Sequence, residues 1–287
     1  MTPVEQPTGR AGGGYVNDEA ASRSGEFVGF SFGANWQKLI GRLSQEQVQH
    51  ATDSVASSFG GEQVAGRRFV DVGCGSGLFS LGALKLGASQ VVSIDVDPNA
   101  IACASELKRK EGNPANWAIR AGSILDASFI RTLEPADLVF SWGVIHHTGA
   151  MWTAFENLLL LVRPSGLLRV AVYNRPRKPG MQLALKRSYN RAPRRLRPLM
   201  VAGYGSVLLS LLAVKGRNPI RYVSEYGSRS RGMDFWRDVE DWLGGLPFEY
   251  ASPDEVRRFA QGSGFEVEDE LVRSPGGCNE YLLRRMA

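Results

Sequence analysis

Apolar and polar positions along this chain change period in a regular order. Short, nearly continuous apolar runs at Arg68–Val72, Val91–Asp95, Asn116–Arg120, Asp137–Ser141 and Leu167–Tyr173 read as buried strands. Between them the apolar residues recur at helical spacing. Helices are predicted over Leu78–Leu86, from Pro98 through Ile101, Ala104 and Leu107, and over Trp152–Val162. Arg163-Pro164-Ser165-Gly166 should stop the last of these before the fifth strand begins. Strand alternating with helix predicts a parallel sheet covered on both faces.

The alternation breaks at Asn174. A turn-rich exit, Arg175 to Gly180, leads into basic helical segments that run to about Arg231. Asp234 is placed to cap a helix with Phe235, Trp236, Val239, Trp242 and Leu243 on one side, a side expected to be core, and Gly244 to Pro247 ends it. The pattern then resumes with a Ser252–Gln261 helix, whose Ser252 and Glu255 form a capping box. Strands at Phe265–Val272 and Asn279–Leu283 bring the total to seven. Upstream, a helix is predicted over Trp36–Phe59. The residues before Ser24 lack periodicity and read as a mobile tail; the aromatic stretch Phe27–Trp36 is either an arm packed on the core or a lid. The expected organisation is a tail and arm (1–35), a core (36–174), a basic helical insert (175–250) and a C-terminal completion of the core (251–287).

Composition adds little until charge is located. At 43% apolar and 22% charged residues, the chain has the make-up of an ordinary soluble globular protein. Three cysteines do not make a disulfide framework, and the start Met1-Thr-Pro-Val-Glu-Gln-Pro-Thr has no signal-peptide character, so a cytoplasmic location is expected. The net charge is +5, but Arg175 to Ser224 holds twelve Lys or Arg and no acid, leaving the rest of the chain at −7. Such a block suits phosphates, an anionic membrane or an acidic substrate. The longest apolar run, Met200 to Val214, falls short of a bilayer span and contains Gly203 and Gly205.

The chemistry concentrates in Phe69-Val-Asp-Val-Gly-Cys-Gly-Ser-Gly77 and in the acid Asp95 at the end of the second strand. Glycines let the backbone approach a ligand closely, and a carboxylate can accept hydrogen bonds from a ribose diol. The spacing Gly73-x-Gly75-x-Gly77, followed by Leu78, departs from the G-x-G-x-x-G of dinucleotide sites. Asp71-Val-Gly-Cys-Gly-Ser-Gly77 resembles motif I of class I S-adenosylmethionine-dependent methyltransferases. That resemblance implies a doubly wound, Rossmann-like α/β fold with a seven-stranded, mostly parallel sheet and a helical cap inserted after strand five. It implies S-adenosylmethionine as cofactor, with Asp71, Gly73 and Gly75 lining its methionine part, Gly77 completing the cofactor turn, Asp95 on the ribose, and Ser123 and Ile124 beside the adenine. Asp97 is expected to miss the ribose, since strand alternation is ending there.

The acceptor is read from the remaining motifs. His146 and His147 follow strand four, where a neutral imidazole could take a proton from a hydroxyl acceptor during in-line displacement; the alternative is that both only pack and hydrogen-bond. No third ligand accompanies them, so no metal site is expected. Ser141-Trp-Gly-Val-Ile-His-His-Thr-Gly149 resembles bacterial quinone-biosynthesis O-methyltransferases, and also a group that modifies the wobble uridine of transfer RNA. The resemblance implies O-methylation of a small or lipid- or sugar-linked hydroxylated acceptor. The alternatives are an RNA-modifying enzyme and a non-catalytic S-adenosylmethionine-binding partner subunit. In the insert, Arg187, Arg191, Arg194, Arg195 and Arg197 could meet phosphate, but Tyr189 is the lone aromatic among them, a poor stacking platform for nucleic acid. The apolar Val207 to Val214 suits contact with an anionic membrane, a lipidic substrate or the core itself.

Overall fold

A computed structural model describes residues 43–59, 63–226 and 234–287. The tail, the Phe27–Trp36 arm, the start of the Trp36 helix and the end of the basic segment lie outside the described residues. The described chain opens with α1 (Gln45–Ser57), then β1 (Arg68–Val72), α2 (Leu78–Lys85), β2 (Gln90–Asp95), α3 (Pro98–Lys110) and β3 (Trp117–Ala121). A short α4 (Ala127–Ile130), β4 (Ala136–Trp142), a 3-10 turn (Ile145–His147), α5 (Met151–Leu160) and β5 (Val162–Tyr173) follow. Four helices interrupt the pattern: α6 (Pro179–Arg191), α7 (Arg197–Val214), α8 (Pro219–Ser224) and α9 (Phe235–Gly244). The sheet is completed by α10 (Pro253–Gly262), β6 (Phe265–Leu271) and β7 (Cys278–Arg285).

The seven strands lie in the order β3-β2-β1-β4-β5-β7-β6, parallel except for β7, which runs antiparallel to both of its neighbours. This is the Rossmann-like doubly wound architecture. Strand order reverses between β1 and β4, and the crevice at the carboxyl ends of such strands is where these folds bind ligands.

The apolar runs are continuous because both faces of the sheet are buried. Phe69, Leu138 and Phe140 pack with Val55, Phe59, Leu81 and Trp117 on one face. Val70, Val139 and Val170 pack with Phe155, Leu158 and Val256 on the other. The capping box at Ser252 and Glu255 is present, and Asp234 caps α9 by accepting from Trp236 N and Arg237 N.

Two features differ from the sequence expectation. Helix α5 ends at Leu160, but Arg163-Pro164-Ser165-Gly166 is drawn into β5 as its irregular first part. The pairing with β4 skips from Ala136↔Val162 to Leu138↔Leu167, and Ser165 takes the left-handed conformation (φ 62°). Gly166 is needed there, because a Cβ would come within 3.0 Å of the Asp137 carbonyl oxygen. The apolar run at Met200 is also longer than it reads. It sits in an 18-residue helix, α7, which by length and composition could cross a membrane.

The inserted helices carry a small core of their own, built on Tyr189, Phe235, Val239 and Leu243. Of the two tryptophans expected there, Trp242 is half-buried and stacks on Tyr204 at 4.8 Å. Trp236 is 37% exposed, yet its ring lies where a Cβ on Gly205 would be, at 2.3 Å, so that glycine lets α7 and α9 approach.

Candidate functional site

The glycine turn leaves β1 and is tied to the end of β2, with Gly73 N and Cys74 N both donating to the Ile94 carbonyl at 2.8 and 3.0 Å. Gly73, Gly75 and Gly77 have φ of 72°, 54° and 77°, a region that costs other residues energy. Two of them are also sterically required. A Cβ on Gly73 would fall 2.3 Å from Val144 Cγ2, and one on Gly77 would fall 3.0 Å from Ala104 Cβ and 3.1 Å from the Trp117 ring.

Asp95 braces this turn. Its Oδ2 accepts from Gly75 N and its Oδ1 from Asp97 N, each at 2.9 Å. Burial raises its pKa against those hydrogen bonds, which lower it. Each oxygen keeps acceptor capacity beyond one backbone bond, so the carboxylate can still receive a hydroxyl. Asp97 is engaged elsewhere: its Oδ1 accepts from Asn99 N and caps α3.

Asp71 is placed beneath the turn. Its carboxylate accepts from Ser80 Oγ at 2.6 Å, Ser80 Oγ bonds Ser93 Oγ at 2.6 Å, and Trp117 Nε1 donates to Ser93 Oγ at 2.7 Å. Burial is the main cause of its pKa rising from 3.8 to about 7. The residue thus supports the turn through a buried chain of polar groups linking β1, α2, β2 and β3.

Beyond β3, Gly122 N donates to the Asp95 carbonyl at 2.9 Å. Ser123 Oγ accepts from Leu125 N at 3.1 Å, and the Ile124 carbonyl accepts from Asn157 Nδ2 at 2.7 Å while the Ile124 side chain turns into the core. Of the two, Ser123 is the more exposed. Sequence reasoning passed over Phe129, whose ring lies where a Cβ on Gly122 would be, at 2.3 Å, and so lines the backbone just past Asp95. The signal available was Gly122 itself.

Val144, which packs on Gly73, leads directly into the turn carrying His146 and His147. His147 Nδ1 lies 2.7 Å from the Pro247 carbonyl oxygen. A carbonyl only accepts, so Nδ1 carries the proton and Nε2 carries the lone pair. Neither ring nitrogen of the fully buried His146 makes a hydrogen bond of normal geometry among the described residues. The rings of His146 and His147 are 4.5 Å apart, and His146 stacks against Tyr173, at the end of β5, at 4.0 Å.

Residues far away in sequence close over this pair. Lys186, on α6, is fully buried and donates from Nζ to the Trp242 carbonyl. Its ammonium lies 4.4 Å from the Trp242 ring, 4.9 Å from Phe248 and 5.9 Å from Tyr173. Burial pushes the lysine down to about 7. Burial, with the lysine charge second, pushes His147 down to about 3. His146 also falls well below its ordinary value, through burial first and then His147 and Lys186. Glu249 ties the cluster to α5: its backbone N donates to the His146 carbonyl at 3.0 Å and its Oε1 accepts from Met151 N at 3.1 Å. Its Oε2 is buried without a hydrogen-bond partner among the described residues, and burial raises its pKa. Sequence reasoning did not single out Tyr173, Lys186, Phe248 or Glu249.

The family model described as a methyltransferase domain matches residues 70–168. These residues run from β1 into β5 and include the glycine turn, Asp95, Ser123, Ile124 and both histidines. This chain carries a methyltransferase domain. A ubiquinone biosynthesis O-methyltransferase from Rhizobium etli is 29% identical to it over 147 residues, 49% of this chain and 57% of that protein. A ribosomal protein L11 methyltransferase from Azotobacter vinelandii is 34% identical over 112 residues, 39% of this chain and 35% of that protein. The chain therefore spans little more than half the length of one relative and about a third of the other.

Among solved structures, magnesium protoporphyrin IX methyltransferase from Synechocystis with bound SAH superposes with a TM-score of 0.52 at 12% identity, covering 89% of this chain and 95% of that one. An S-adenosylmethionine-dependent methyltransferase from Mesorhizobium loti gives 0.50 at 15% identity, covering 83% and 100%. At these identities the likeness is one of fold. Most of the second cluster's closure, from α6 to Glu249, lies outside the matched methyltransferase domain. The names of the two relatives describe different acceptors.

Proposed function

We propose that the chain transfers a methyl group from S-adenosylmethionine to a hydroxyl oxygen of a small or lipid-linked acceptor, with His147 as the proton acceptor. The donor would be held by the backbone of Gly73 to Gly77, by Asp95 on its ribose, and by Ser123 and the Gly122–Phe129 contact near its base. Asp71 and Ile124 would act from beneath that surface. The strained, Cβ-free turn and the carboxylate with acceptor capacity to spare both fit that ligand. When bound, S-adenosylmethionine supplies an electrophilic methyl group on a sulfonium.

The observation that carries the acceptor chemistry is the bond from His147 Nδ1 to the Pro247 carbonyl. It fixes the tautomer in which Nε2 can receive a proton. With its pKa pushed down to about 3, the imidazole is neutral at pH 7 but a weak base. A phenol or enol, with a pKa near that of tyrosine (about 10), gives up its proton more readily than an alkyl alcohol and asks less of such a base. The Lys186 charge would favour the oxyanion as the proton leaves. Burial of Tyr189, the lone aromatic in the Arg187–Arg197 stripe, with Arg197 over its ring at 5.5 Å, weighs against the RNA alternative.

A panel of phenolic, enolic and alkyl hydroxyl acceptors, read out by S-adenosylhomocysteine release, tests the proposal. Turnover of phenols or enols is expected, with His147→Ala lowering kcat roughly 10²–10⁴-fold and leaving S-adenosylmethionine affinity unchanged. Full turnover in that variant at saturating acceptor would remove the histidine from the mechanism. Methylation of transfer RNA and not of any small acceptor would overturn the acceptor class.

A further inference from the structure

Helix α7 is apolar all round, and only 6% of it is buried. One side packs on the insert through Met200, Val201, Tyr204, Leu208 and Leu209. At about 100° per residue, Leu199, Val207 and Val214 fall on the opposite half of its circumference, and Leu211 lies at the border of the two sides. They are 68%, 57%, 85% and 54% exposed. No charged residue interrupts that half between Pro198 and Val214; Ala202, Gly203, Ser206 and Ser210 fill the gaps. A helix solvated on one side ordinarily carries charge there. This one keeps its charge at its ends.

Arg191, Arg194 and Arg195 precede it, Lys215 and Arg217 follow it, and all five are exposed with no carboxylate partner among the described residues. The helix is about 27 Å long at 1.5 Å per residue, so the two basic clusters bracket a strip of bare apolar surface. Cations at both ends of an uncharged apolar face complement anionic headgroups around an acyl boundary. Nucleic acid would meet the same cations but would gain nothing from the strip between them, and the stripe offers no stacking ring.

We propose that the outer face of α7 is a membrane-docking surface, lying in the headgroup region of an anionic lipid bilayer with Arg191, Arg194, Arg195, Lys215 and Arg217 on lipid phosphates. The packed side of α7 stays on the insert. The helix thus lies along the surface and does not cross the bilayer. Docking would hold the methyltransferase domain next to acceptors that reside in the membrane.

The test is co-sedimentation of the full chain with vesicles of phosphatidylcholine alone or of phosphatidylcholine with phosphatidylglycerol. Binding is expected only to the anionic vesicles, and it should fall with added salt. The triple variant Leu199→Glu, Val207→Glu, Leu211→Glu should lose it. Arg194→Gln, Arg195→Gln or Lys215→Gln should each weaken it by about five-fold. All of these variants should bind S-adenosylmethionine like the parent, which shows that they are folded. Failure of the parent to pellet with anionic vesicles, or pelleting of the triple Glu variant like the parent, would overturn the proposal. So would a lipid-free dimer that the triple variant dissociates, which would make the face a contact between two copies, or retention on RNA with none on vesicles.

Discussion

At the proposed methyl-donor end the defining groups are mostly backbone. Three left-handed glycines shape a turn whose own N–H groups are bonded to Ile94, Cys74 and Asp95, and every glycine and acid involved comes from one strand-helix-strand unit. At the proposed acceptor end the clustered groups are side chains from distant segments. His147 meets Pro247 across 100 residues, and Lys186 reaches Trp242 across 56. The first end is rigid by geometry, because a Cβ at Gly73 would collide with Val144 and one at Gly77 would crowd Ala104 and Trp117. The second is tuned by burial, which pushes a lysine and two histidines down and Glu249 up. Under the proposed function, a change in the insert would alter what is methylated and leave the donor site in place.

Substitutions can break this contrast. The largest effect is expected from Gly73→Val, which places a β-branched side chain at φ 72° and on top of Val144. Strain of about 1–3 kcal/mol from the backbone alone, added to the clash, should lower the melting temperature and abolish S-adenosylmethionine binding by calorimetry. A variant that binds normally would show that the turn is not rigid.

Lys186→Met addresses the tuned end. The lysine falls from 10.5 to about 7 on folding, so the unfolded chain binds the extra proton between those values. Parent stability should rise as pH increases from about 7 to 10.5, by on the order of 2–4 kcal/mol, and the methionine variant should lack that rise in urea melts. In the same variant the His147 imidazole should titrate above about 3 by NMR, because a nearby positive charge has gone.

Asp71→Asn should do least. The folded carboxyl, raised from 3.8 to about 7, holds a proton that the unfolded one releases, so its contribution is complete below 3.8 and lost as pH rises through about 7. The amide resembles the protonated acid; stability at pH 5 should stay within about 1 kcal/mol of the parent, and the decline toward pH 7 should flatten.

Legibility in the sequence follows the same divide. Period alone located the strands of the sheet, because burial on both faces leaves near-continuous apolar runs such as Phe69-Val70 and Val139-Phe140. The glycine turn and Asp95 were legible because their constraint is local. Pro164 and Gly166 misled, since a residue that stops a helix also fits the irregular start of a strand. Lys186 could not be picked out, because in a run of twelve basic residues nothing marks the one that folds inward against three aromatic rings. Phe129 was hidden for a related reason: only its contact with Gly122 gives it a role.

The central claim is that the turn and Asp95 together form an S-adenosylmethionine site that works independently of the acceptor cluster. Isothermal titration of S-adenosylmethionine into the parent, Asp95→Ala and His147→Ala tests it directly. Loss of hydrogen bonds to a charged group, about 3 kcal/mol, should weaken binding roughly 100-fold in Asp95→Ala and leave His147→Ala at the parent's affinity. No binding by the parent, or equal affinity in the parent and Asp95→Ala, would contradict it.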